Sequence, residues 1–220
     1  MQGHRQRLRE RFLKAKPGTL QDYEILELLL CTIIPRRDVK PLAKDLLKQC
    51  GSLGGVINLP PSKLLYISGV GESVVAFFKL LKETANALSK EQIMDKPILS
   101  STSKILEYIR ISIGYKTTEH LLALYLNARK HLIAEETHDY GTVNGVGVYP
   151  RELLKAAIYH DASYVILAHN HPSGATKPSQ ADITLTSVIQ KTLQAAEIVL
   201  ADHIIISPSS SFSFCAHNMI

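Results

Sequence analysis

Cysteine is scarce in this chain: Cys31, Cys50 and Cys215 are the only three in 220 residues, far apart and never in CxxC spacing. That excludes a disulfide framework and a thiolate metal cluster, and it leaves buried, reduced thiols as the plain reading. Long hydrophobic runs are missing too. No stretch approaches the roughly 20 consecutive apolar residues that span a bilayer, so no membrane partner is expected. The opening MQGHRQRLRERF is charged and lacks the apolar centre of a secretory leader, which makes a cytoplasmic location the expectation. Proline and glycine are few, at 10 and 12, against 45% apolar and 20% charged residues. This is the balance of a folded chain and not of a disordered one.

What is present is unevenly distributed. Residues 1–90 carry 15 Lys and Arg against 8 Asp and Glu, net +7, while residues 91–220 carry 10 against 12, net −2. An anionic partner, DNA being the natural choice, is therefore expected for the first half alone.

Residues 4–90 read as helices throughout, with apolar positions at a 3.6-residue period in Tyr23–Cys31 and Pro41–Cys50 and short stretches around Val56 and Leu64. Pro17-Gly18, Pro35, Gly51, Gly54-Gly55 and Pro60-Pro61 punctuate them. Periodicity is lost in SKEQIMDKPILSST, which places a linker at 91–101 between domains at 1–90 and 102–220. Beyond it, strands alternate with helices: a helix over Ile105–Ile113, strands at His120–Asn127 and His131–Thr137, then a helix opened by Pro150 and running to about His160. Tyr164–Ala168 reads as a buried central strand, followed by a helix over Ser179–Ala196 and strands at Ile198–Ile206 and Phe212–Phe214. The expected class is α/β, with an all-α N-terminal domain.

The segment LLYISGVGESVVAFFKLL looks like a helix-hairpin-helix motif around Gly69-Val70-Gly71. Such glycines let a backbone approach a phosphate, with the amides of the second helix pointing at it. Gly69, Gly71 and Lys63 are the DNA-contact candidates, with Lys79 and Lys82 nearby. A tight turn that needs positive φ at glycine accounts for the same letters without a ligand.

The second half carries a sharper signal, VILAHNHPSGATKPSQAD. His169 and His171 stand two apart at a strand end, so both imidazoles point to one side. Asp182 follows beyond a Pro/Gly loop, in the first turn of a helix. Two imidazoles and a carboxylate leave a fourth tetrahedral position for water, the pattern of a catalytic zinc site, with one Zn2+ expected per chain. Ser179 to Asp182 also reads as an ordinary helix capping box, which is compatible with the metal reading. A non-ligand glutamate is needed as general base, and Glu119, Glu135 and Glu136 all qualify by sequence.

The spacing of His169, His171, Ser179 and Asp182 resembles the JAMM signature of the JAB/MPN metallopeptidase superfamily. HNHPSG with PSQAD, GTVNGVGVYPRELLKAA from Gly141, and GHRQRLRERFLK from Gly3 together resemble the RadC (UPF0758-type) family of bacterial proteins. The resemblance implies a mixed-sheet, cytidine-deaminase-like JAB/MPN domain after the helix-hairpin-helix domain. It also implies zinc on His169, His171 and Asp182, Glu119 as the base, and Ser179 as an aid to the oxyanion. Ala175-Thr176-Lys177 departs from the acidic residue that family members often carry in this loop.

A zinc-dependent hydrolase of peptide or isopeptide bonds is thus the leading expectation. A DNA-binding protein of repair or recombination, with a structural or partner-binding metal domain, is the alternative. The letters HNH do not indicate a nuclease of that name, whose histidines lie far apart in sequence.

Overall fold

The computed structural model describes residues 2–94, 102–139 and 149–220, which form two compact units, Met1–Thr84 and Ala85–Ile220. The division falls inside one helix, α6 (Glu72–Met94), and not at residue 90. Residues 91–94, expected in a linker, are helical; residues 95–101 lie outside the described residues, as do 140–148. The polar letters after Ser89 interrupt the apolar stripe without breaking the helix, because Lys, Glu and Gln are good helix formers.

The first unit holds α1 (Gln2–Lys14), α2 (Asp22–Ile33), α3 (Lys40–Cys50), α4 (Leu53–Ile57), α5 (Pro61–Leu65) and the start of α6. Its core is Leu26, Leu30, Leu42, Leu46, Val56, Leu64, Val74 and Phe78, which are the 3.6-period positions. Helix α1 contributes Leu8 to the buried set and meets α2 through polar side chains: His4 Nε2 lies 2.8 Å from Glu27 Oε1, and Arg11 pairs with Glu24. Arg5 donates to the Ile34 and Arg37 carbonyls beyond the end of α2. The hairpin between α5 and α6 is present. Gly69 sits at φ +92, a backbone conformation that favours glycine, and the Arg37 guanidinium, the movable end of a long side chain, lies 2.8 Å from where a Cβ would be. Gly71 is exposed, with no heavy atom within 4 Å of where its Cβ would be.

The second unit is a five-stranded mixed sheet in the order β2-β1-β3-β4-β5. The strands are β1 (His120–Leu126), β2 (Leu132–Asp139), β3 (Tyr164–Asn170), β4 (Val199–Ile206) and β5 (Ser211–Ser213). Only β3 and β4 are parallel, joined by the crossover helix α9 (Gln180–Gln194). Leu122, Leu124 and Leu126 face α7 (Thr102–Ile109), with Ile93 from the end of α6 beside them. Leu121, Ala123 and Tyr125 face α9 and α8 (Pro150–Tyr159), where Pro150 stands in the first turn as expected. Coverage on both faces explains why β1 and β3 are apolar without alternation. Each fully buried Leu or Ile stabilises by about 1.5–3 kcal/mol, so this two-sided core dominates the fold. Helix α7 passes into a π-helical turn at Arg110–Gly114, where the sequence reading continues an α-helix. The three cysteines are free, but Cys31 and Cys50 are only half-buried and Cys215 is exposed, which corrects the buried reading. Among the described residues, no helix is long and apolar enough to cross a membrane.

Candidate metal centre

Strand β3 carries the first candidate ligand. In register, His169 lies between Leu121 of β1 and Ile205 of β4, and alternation sets it on the α9 face with Leu167, where it is 1% exposed. The chain turns directly after His171, the Gly174 N–H donating to the His171 carbonyl at 3.0 Å with Gly174 at φ +86. It then returns to begin α9 at Ser179, the N-cap. The Ser179 hydroxyl accepts from the Asp182 N–H at 3.1 Å, and the Ser179 N–H and hydroxyl both donate to Asp182 Oδ2 at 2.7 Å. The expected capping box is therefore real, and it aims the carboxylate back at the strand end.

His169 Nε2 and His171 Nε2 are 2.9 Å apart, His169 Nε2 lies 3.3 Å from Asp182 Oδ1, and His171 Nε2 lies 3.7 Å from Asp182 Oδ2. Tetrahedral ligands about 2.0–2.1 Å from a zinc ion stand about 3.4 Å from one another, so this donor set fits the ion. Among the described residues it is the one group of three or more His, Cys, Asp or Glu side chains whose ligand atoms converge in this way. His171 Nδ1 donates to the Ala175 carbonyl at 2.6 Å, which leaves its Nε2 lone pair facing the centre. The atypical Ala175 loop thus serves through its backbone. Burial pushes the Asp182 carboxyl up, but the His169 imidazole beside it and the hydrogen bonds from Ser179 outweigh that and hold the group well below the usual carboxylate range.

The three glutamates separate once the register is known. Glu135 faces the opposite side of the sheet, bonded to the Tyr108 hydroxyl and, at 2.7 Å, to Lys90. Glu136 shares the face of His169 but stands on edge strand β2, 3.3 Å from His160 Nε2 and 3.5 Å from His138 Nε2. Glu119 is exposed and immediately precedes β1; carrying the β1–β3 register two places beyond Leu121↔His169 sets it level with His171 on the ligand face. Asn170 secures that segment: its Oδ1 accepts the His120 N–H at 2.8 Å, and its Nδ2 donates to the Lys116 and Thr118 carbonyls at 3.1 and 3.0 Å.

Two neighbours of the site escape a sequence reading. His203, within the apolar strand β4, is fully buried with Nε2 2.8 Å from His169 Nδ1, and Thr186 Oγ1 lies 2.6 Å from His203 Nδ1. The interruption of VLADHIII by a histidine is the one available signal, and it becomes meaningful only when β4 is paired with β3. In the first unit, Lys63 and Lys79 are exposed, Lys82 is half-buried with its pKa pushed down by burial, and the Arg37 guanidinium lies against Gly69.

Two family models divide the chain between them: a RadC-like JAB domain matches residues 99–219, and a UPF0758 N-terminal domain matches residues 3–76. A UPF0758 protein of Rhodobacter capsulatus is 43% identical over 213 residues, covering 97% of this chain and 100% of the relative. One from Ruegeria pomeroyi is 42% identical over 217 residues, covering 99% and 97%, and one from Fusobacterium nucleatum is 40% identical over 226 residues, covering 100% and 97%. With both models matched and full-length relatives at this level of identity, the chain belongs to the UPF0758 family, and the domain that gathers His169, His171 and Asp182 is its RadC-like JAB domain.

Proposed function

We propose that the JAB domain is a zinc-dependent hydrolase of peptide or isopeptide bonds, with one zinc ion per chain. The observation that carries the reading is the convergence of two imidazole nitrogens and an ionised carboxylate, at separations suited to a tetrahedral ion, at the strand end to whose face the β1–β3 register carries Glu119. Zinc held there would supply a Lewis acid that polarises a carbonyl and makes a water acidic near neutral pH. His169 and His171 hold their ligand nitrogens from a rigid central strand, and Asp182 is oriented by the α9 cap. Glu119 takes a proton from the water and returns it to the leaving amine. The Ser179 hydroxyl, which donates to Asp182 in this state, would turn to the developing oxyanion.

Hydrolysis of quenched-fluorescent peptides and isopeptide-linked peptides by the full chain is expected to stop on chelation and to return with added zinc. A rate indifferent to chelator would exclude the reading.

A second reading concerns the first unit: backbone-directed binding of DNA at the α5–α6 hairpin. It is favoured by Gly71, whose missing side chain nothing inside the protein requires, with the Arg37 guanidinium close by and Lys63 exposed. Glu72, in the first turn of α6, opposes it. Affinity for duplex DNA should fall steeply and linearly in log–log form with salt. Affinity insensitive to salt, or unchanged by Lys63→Glu with Gly71→Glu, would remove the hairpin from the account.

A further inference from the structure

The two ligands that come from different elements, His169 on β3 and Asp182 on α9, are joined beneath the metal position by an unbroken hydrogen-bond path. The Thr186 hydroxyl donates to the Asp182 backbone carbonyl at 2.6 Å, so its oxygen is left to accept. Its other partner, His203 Nδ1, 2.6 Å away, must then carry the proton, which makes His203 Nε2 an acceptor. That nitrogen lies 2.8 Å from His169 Nδ1, so His169 is protonated at Nδ1 and presents a bare Nε2 to Asp182 and His171. Every proton in the path is directed by one carbonyl oxygen, which can only accept. The path is buried: His203 is 0% and Thr186 1% exposed, and the His203 ring stacks on Phe214, centroids 4.9 Å apart and planes 16° from parallel.

We infer that His203 and Thr186 are positioning residues which, through this path, fix the Nδ1–H tautomer of His169 and so hold its Nε2 lone pair at the metal position. The inference rests on the metal reading above and adds a mechanism to it. Loss of the Thr186 hydroxyl strands the His203 Nδ1–H in an apolar site. His203 then shifts its proton to Nε2, and His169 must accept at Nδ1 and carry its own proton on Nε2, where a cation would bind.

The test uses the full chain, 15N-labelled, with long-range 1H–15N correlations of the imidazoles in metal-free protein and zinc affinity by chelator competition. Wild type is expected to show His169 protonated at Nδ1. Thr186→Val should move that proton to Nε2 and weaken zinc binding about 10–100-fold, and Thr186→Ser should restore both. His203→Gln, whose amide can accept from His169 and donate to Thr186, should bind zinc far better than His203→Phe. An unchanged His169 tautomer in Thr186→Val, or unchanged zinc affinity, overturns the inference. If wild type takes up no zinc, the metal reading fails by itself, and the tautomer measurement still decides the path.

Discussion

Replacing His169 and His171 together by alanine is expected to take the chain from about one bound zinc to none, by elemental analysis after dialysis against zinc-free buffer. The remaining Asp182 carboxylate is a single oxygen donor set at a helix start, and one carboxylate does not retain zinc. The same comparison reads out in stability. An ion present at 100 times its dissociation constant adds about 2.7 kcal/mol to the folded state, so zinc should raise the melting temperature of wild type and leave that of the double variant unmoved. Part of the variant's own loss comes from packing, since His169 is 1% exposed beneath α9. The zinc-dependent increment separates this from ligation. Absence of zinc from both proteins would leave a JAB fold without its ion, and the DNA reading would become the better one.

Glu119→Gln is expected to lower the hydrolytic rate by about 10²–10⁴, the usual worth of a general base, with zinc content unchanged. Glutamine keeps the shape and loses the basic oxygen, and Glu119 is exposed, so folding should be untouched. Glu135→Gln and Glu136→Gln are the controls. The first weakens bonds to Tyr108 and Lys90 on the other face of the sheet, and the second weakens bonds to His160 and His138 on an edge strand. Both should cost some stability and little rate. If Glu119→Gln retained its rate and Glu136→Gln did not, the base would have to be reassigned to the β2 side of the site.

Much of the site is legible in the letters because its parts are local. Two histidines two residues apart on an extended strand must share a side, and a serine three residues before an aspartate at a helix start must cap it; neither statement needs a tertiary structure. The strand pattern is readable for the same reason, as a sheet covered on both faces leaves apolar runs such as Tyr164–Ala168. What could not be read depends on register between distant segments. Glu119, Glu135 and Glu136 are equivalent acids until β1 and β2 are paired, and His203 is 34 residues from the histidine it supports. The end of α6 is hidden for a different reason: composition changes after Ser89, but the helix runs on to Met94. The π-helical turn at Arg110–Gly114 likewise leaves no mark in the hydrophobic period.

The asparagine between the two ligands has a wider consequence. Asn170 reaches across to the segment before β1 and grips it by main-chain groups alone, at residues 116, 118 and 120. The grip itself does not read the side chains at these three positions, whatever other bonds those side chains make. Chain length is another matter: one residue inserted or deleted between Lys116 and His120 would put the three gripped main-chain groups out of step with one another while leaving His169, His171 and Asp182 in place. The Asn170 grip is therefore indifferent to the letters at 116, 118 and 120 and sensitive to the number of residues between them.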